Sequence, residues 1–208
     1  EPDDVAALQK FYQRRAYSFF ITHELLPNIK ICFDTFPALK VISLQRSPID
    51  LVYSWYKRGL ARRLGTDPTL GVPPFQGSAG VHPWYMHTHE RLYARLNEMD
   101  RTIVSVLTLH KKNTVAYDRL DPKKRKRILF VTYEHLLSDP AVVIRRLARF
   151  LRREPLPGMQ RILKREKLPI PSSPHTDAKK LLEIQSFATA PYAKRLVMAQ
   201  DAYFARWS

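Results

Sequence analysis

Apolar positions along this 208-residue chain recur at two different periods, and the alternation between them sets the expected architecture. Residues 5–15 (VAALQKFYQRR) read as a helix. Tyr17–Thr22 (YSFFIT) reads as a buried strand running into a loop at His23. Lys40–Gln45 (KVISLQ) is a second expected strand, with Val41, Ile42 and Leu44 as its apolar residues. Ser47-Pro48 then forms a helix start: a side chain that caps free N–H groups, followed by a ring whose fixed φ suits the first helical position. That helix is expected to reach about Arg63, with Gly59 as its weak point. Residues 64–83, which hold Gly65, Gly71, Gly77, Gly80 and four prolines, read as a long irregular segment of the kind used for functional lids. Residues 84–111 read as one long helix, and Asp121–Arg127 (DPKKRKR) as a basic turn. Ile128–Thr132 (ILFVT) is a third strand, short and apolar as in a buried parallel sheet. Asp139-Pro140 opens a helix whose apolar face is Val143, Ile144, Leu147, Ala148 and Leu151, and residues 157–167 and 190–206 also read as helical.

Strands alternating with helices predict an α/β fold with a parallel sheet. No internal repeat is visible, and the length suits a single domain over residues 1–208. Ligands of such sheets bind beyond the carboxyl ends of the strands. His23, Arg46 and Tyr133 each follow an expected strand and so fall on one edge.

Charge narrows the partners. The chain carries 35 Lys and Arg against 19 Asp and Glu, a net +16. Such a field favours an anion: a nucleic acid, a polyanionic sugar, a membrane surface or a phosphorylated cofactor. A solubilising surface would have the same composition. The single cysteine, Cys32, excludes an internal disulfide and a zinc cluster of Cys ligands, and reads as a small buried hydrophobe. No segment approaches the roughly 20 apolar residues of a membrane span. No helix-turn-helix, zinc-finger or RNP pattern occurs, so no specific nucleic acid is expected.

The segment VISLQRSPIDLVYSWYKRG carries the clearest chemistry. Arg46 leaves a strand end and Ser54 lies eight residues on, in the early part of the next helix. A guanidinium at a strand tip and a hydroxyl near a helix N-terminus can converge on one phosphate, aided by free N–H groups and the helix dipole. Arginine's planar fork matches phosphate oxygens. An ordinary strand-loop-helix with a capping serine and a surface arginine would share this spacing.

This segment, with Asp50 and the pair Trp55-Tyr56, resembles the 3′-phosphate-binding motif of sulfotransferases that use 3′-phosphoadenosine-5′-phosphosulfate (PAPS). ILFVTYEHLLSDPAVVIRRLARFL is similar to the family's strand, Tyr-Glu, Asp-Pro and amphipathic helix, and Tyr133 falls where a tyrosine contacts adenine in cytosolic-type members. THELLP (Thr22–Pro27) is similar to the catalytic Thr-His segment, with His23 lying 23 residues before Arg46. The ordered set covers about residues 17–152. The resemblance implies a P-loop-NTPase-like three-layer fold and sulfuryl transfer from PAPS to a hydroxyl or amine, releasing the desulfated product PAP. It also implies Arg46, Ser54 and Tyr133 on the cofactor. His23 is the expected base, because an unperturbed imidazole titrates near pH 6.5 and can take a proton near neutrality. Glu24 is the competitor, because some Golgi-type members use a carboxylate. The acceptor is unidentified, with an anionic one favoured by the charge and residues 64–83 as its expected pocket. The compartment stays open between cytoplasm and Golgi lumen.

The pattern also departs from the family. The lysine before Thr-His is here Ile21, and residues 164–180 hold no glycine where an Arg-Lys-Gly loop is expected. Lys164, Arg165 or Lys167 would be substitutes, against a plain solvated helix face. The Gly-rich loop for the 5′-phosphosulfate has no counterpart, the first glycine being Gly59. The resemblance therefore implies a start downstream of that loop and of the first strand, and a chain inactive by itself. The lack of a Walker loop and magnesium carboxylate counts against a P-loop kinase. A basic nucleic-acid- or polyanion-binding domain without catalysis is the alternative function. His82, His87, His89 and Glu90 suggest a metal, but on one helix His87 and His89 would point about 200° apart, so none is expected.

Overall fold

The computed structural model describes residues 2–13, 19, 21–22, 25–170 and 174–207. In chain order it contains α1 (Pro2–Gln13), α2 (Ile29–Thr35), β1 (Val41–Gln45), α3 (Pro48–Lys57), α4 (Leu60–Arg63), β2 (Pro74–Gly77) and β3 (Gly80–Pro83). There follow α5 (Glu90–Arg95), α6 (Glu98–Asp118), α7 (Pro122–Arg125), β4 (Ile128–Thr132), α8 (Tyr133–Ser138), α9 (Pro140–Leu151), α10 (Met159–Arg165), α11 (Pro174–Phe187) and α12 (Ala190–Trp207).

β1 and β4 pair in parallel, Val41 opposite Ile128 and Gln45 opposite Thr132, with helices flanking them. This is the expected α/β architecture. Alternate residues of a strand face opposite sides. Val41 and Gln45 are buried, whereas Ile42 and Leu44 on the other face are 37% and 54% exposed. β1 is therefore buried on one face rather than two. The strand expected at Tyr17–Thr22 falls largely outside the described residues; Phe19, Ile21 and Thr22, which are described, lie in neither helix nor strand.

Local signals set most boundaries. Ser47 accepts a hydrogen bond from the Asp50 N–H and Pro48 fills the first turn, so α3 starts where expected. Gly59 breaks this helix from α4 by adopting φ +59°, a left-handed conformation that glycine tolerates. Asp139 likewise accepts from the Val142 N–H at the start of α9. Residues 84–111 are not one helix. A single turn at Trp84–Met86 precedes α5, and Asn97 caps α6 by accepting from the Asp100 N–H at 2.8 Å. Residues 64–83 hold an antiparallel hairpin, β2 with β3. The expected basic turn contains the short helix α7, capped by Asp121.

Three apolar clusters hold the elements. The first joins α3, α6, α11 and α12 through Ile49, Val52, Met99, Ile103, Val106, Ile184 and Leu196. The second packs Leu26, Ile29 and Phe33 against Val41, Leu120 and Ile128 beneath the sheet, with Cys32 half-buried at its margin. The third, Tyr85, Met86 and Tyr93, fastens the hairpin region onto α6. Asp100 is buried; its carboxylate accepts from Asn97 Nδ2 and from the Thr189 N–H, both at 3.0 Å, which ties α6 to the start of α12.

Candidate functional site

Parallel register brings the first candidate residues together. Gln45 and Thr132 are partners at the ends of β1 and β4, so Arg46 and Tyr133 leave neighbouring strands on one edge. The Arg46 guanidinium carbon lies 4.6 Å from the centre of the Tyr133 ring. A cation over an aromatic face is attracted by the ring quadrupole, by about 0.5–2 kcal/mol as solvent is excluded. Arg46 Nε is buried and makes no hydrogen bond among the described residues; Asp50 Oδ2 is 3.8 Å away. An unsatisfied charged donor is costly, so this atom fits an oxygen ligand from outside the chain.

Ser54 is the seventh residue of α3, in its second turn rather than its first. It lies four residues beyond Asp50 and therefore on the same helix face, about 6 Å along the axis. Arg46, Asp50 and Ser54 form one stripe running from the strand end along α3. Asp50 meets Lys180 of α11 in an ion pair, and Lys180 is also 3.7 Å from Asp177. Burial, and then the nearby Asp50 charge, push the Asp177 carboxyl pKa upward.

A second set of contacts holds the loop between β1 and α3. The Ser47 N–H donates to Glu134 Oε1 at 2.8 Å. Gln200 of α12 is buried, and its Oε1 accepts from Ser47 Oγ and from the Ile49 N–H, each at 3.1 Å. Tyr203 donates its hydroxyl to Glu134 Oε2 at 2.6 Å. Burial first, and Glu134 second, push the Tyr203 pKa far up, so the hydroxyl stays a donor. The backbone that follows Arg46 is thus fastened from both α8, through Glu134, and α12, through Gln200.

Not every expected residue joins this edge. His23 and Glu24 lie outside the described residues. Lys164, Arg165 and Lys167 are exposed, with Arg165 paired to Glu166. Lys180, Glu134, Gln200 and Tyr203 were not singled out from the sequence. For Glu134 the Tyr-Glu pair was a signal; for the others no local pattern marks them. Three residues of the basic run at 123–127 make structural contacts, while Lys123 and Lys126 are exposed. Lys124 pairs with Asp34, Arg125 caps Leu120 and Asp118 carbonyls, and Arg127 stacks on Phe33 and bonds the Leu39 and Phe36 carbonyls. His87 and His89 do not lie within a helix, so the angular argument against a shared metal does not apply to them. Their rings meet the Trp84 carbonyl and Thr88 instead. Among the described residues no three His, Cys, Asp or Glu side chains gather around a common point. A cleft of about 440 Å³ lies in the 64–83 region, lined by Gly65, Thr66, Pro74, Gln76 and Val81.

A family model described as a sulfotransferase domain matches residues 3–168. The chain therefore belongs to the sulfotransferase family, whose general chemistry is sulfuryl transfer from a nucleotide donor to an acceptor. No curated protein and no solved structure gives a significant match. The matched span includes Arg46, Ser54 and Tyr133 and stops short of α11 and α12. No helix among the described residues is long and apolar enough to cross a membrane.

Proposed function

We propose that this protein transfers a sulfuryl group from PAPS to a hydroxyl or amine acceptor, with Arg46 and Ser54 holding the 3′-phosphate and Tyr133 contacting the adenine. The observation that carries this reading is the Arg46 side chain: stacked on Tyr133 at a strand end, with a buried Nε that has no hydrogen-bond partner among the described residues. In the reaction the acceptor oxygen or nitrogen bonds to sulfur as the bond from sulfur to the 5′-phosphate oxygen breaks, leaving PAP. The acceptor proton passes to a base, for which His23 is favoured over Glu24. By analogy with phosphoryl transfer, positioning and charge stabilisation dominate such a displacement. The acceptor pocket is assigned to residues 64–83, and a single domain over 1–208 is part of the same reading.

PAP titration tests it. Arg46→Ala is expected to weaken PAP binding about 10- to 100-fold and Ser54→Ala about threefold to tenfold, because a charged contact is worth more than a neutral one. Equal PAP affinity in the parent and both variants would remove the 3′-phosphate assignment. Salt-sensitive binding of DNA with no response to PAP would favour the noncatalytic polyanion-binding domain instead.

A further inference from the structure

The family match ends at residue 168, yet α11 reaches back onto the stripe that carries Arg46 and Ser54. Lys180 is the contact. Its ammonium pairs with Asp50 Oδ1, while Arg46 Nε faces the other oxygen of the same carboxylate at 3.8 Å. Asp50 thus stands between two cations from distant parts of the chain. Ser54 lies one turn further along the same face. With only 21% of its side chain exposed, Lys180 is drawn out of bulk solvent, where its charge is screened less.

Other basic groups of the C-terminal region do not share this placement. Lys164, Arg165 and Lys167 are exposed on or beside α10. Lys57, also on α3, pairs with Glu183 of α11 and so is held farther along the helix. The carboxylates around Lys180 are Asp50 and Asp177, with Asp177 the more distant at 3.7 Å and pushed toward its neutral form by burial and by Asp50. The weaker partner is the one an incoming anion displaces at least cost.

We infer that Lys180 is a second cationic ligand of the phosphate held by Arg46, supplied by a helix outside the family-matched region. This rests on the 3′-phosphate reading above. The role differs from a helix tie: removing the ammonium removes a ligand, whereas removing only its ion pair with Asp50 does not.

The experiment measures Kd for PAP and for adenosine 5′-monophosphate, which lacks the 3′-phosphate, by calorimetry with the parent, Lys180→Met and Asp50→Asn. Lys180→Met is expected to weaken PAP about tenfold or more and to change the monophosphate less than about threefold. Asp50→Asn, which keeps both cations, is expected to hold PAP within about threefold of the parent. A parent that binds PAP while Lys180→Met binds it equally well overturns the Lys180 assignment and leaves the 3′-phosphate reading standing. Equal losses in Lys180→Met and Asp50→Asn, or equal losses for both nucleotides, reduce Lys180 to a structural tie and also overturn it. A parent with no PAP affinity overturns both.

Discussion

Arg46 and Tyr133 are the residues that follow β1 and β4, and the guanidinium of one lies 4.6 Å above the ring of the other. Neither position reaches the other locally, since 87 residues separate them (133 − 46). The parallel register of Gln45 with Thr132 sets them side by side. The ring limits where the guanidinium can point, so under the proposed function less conformational freedom would be lost on binding a phosphate.

This stacking leads to a test that separates orientation from contact. Tyr133→Phe keeps the aromatic face and is expected to hold PAP affinity within about threefold. Tyr133→Ala removes it and is expected to weaken PAP by about tenfold, combining lost base contact with a freer Arg46. Fluorescence or calorimetric titration reads both; similar behaviour of the two variants would mean that the ring face has no part in binding.

Gln200 carries a load that its place in a C-terminal helix does not advertise. Its carbonyl oxygen satisfies both Ser47 Oγ and the Ile49 N–H in a buried setting. Gln200→Leu strands the Ile49 donor and is expected to cost about 1–3 kcal/mol, read as a lower urea midpoint or a melting temperature lower by roughly 2–4 °C per kcal/mol. PAP affinity is expected to fall with it, because the same loop presents Arg46. Unchanged stability would show that the loop repacks without this bond.

Gly65 is closely confined. It adopts φ +83°, and a Cβ there would lie 2.5 Å from the His82 carbonyl carbon and 2.6 Å from the Pro83 nitrogen. Both are backbone atoms of the β3 strand and cannot swing aside. Gly65→Ala is expected to destabilise the protein by about 2 kcal/mol or more, through strain at positive φ and displacement of the hairpin. Thermal melts check this, and an alanine variant as stable as the parent would place the hairpin free of α4.

His110 gives a pH dependence with a definite sign. Burial lowers its pKa below the ordinary 6.5, and its ring lies 6.5 Å from that of Tyr203. The unfolded chain binds a proton near pH 6.5 while the native state resists it, so this contribution to stability is complete above that pH. It is lost as pH falls from 6.5 toward the lower native value, by at most about 1.4 kcal/mol per pH unit. His110→Gln is expected to shrink the difference in urea midpoint between pH 7.5 and 5.5. An identical difference in the variant would assign the acid sensitivity to other groups.

Local signals made much of the chain readable. Ser47-Pro48 and Asp139-Pro140 mark helix starts because the capping oxygen and the proline act within a few residues of themselves. The strands at 41–45 and 128–132 were legible from short apolar runs, and with them the placement of Arg46 and Tyr133 just past the strand ends and of Ser54 in the next helix. Residues 84–111 misled because the apolar spacing continues across two breaks, one at residues 87–89 and one where Asn97 caps the start of α6. The hairpin inside 64–83 was hidden by its glycines and prolines, which signal turns more strongly than strands.

The sequence by itself thus determined the α/β alternation, the family and the placement of Arg46, Asp50 and Ser54 along one strand end and helix, because caps, periodicity and motif order are properties of neighbouring residues. Only the tertiary structure decided which partner each cation meets. It directs Lys124, Arg125 and Arg127 to internal carboxylates, carbonyls and rings, and it brings Lys180 to Asp50, Gln200 to Ser47 and Tyr203 to Glu134 across separations of 130, 153 and 69 residues. The reason is physical: charge and hydrogen-bond capacity belong to a residue type, but the partner that consumes or exposes them is chosen by packing between distant helices.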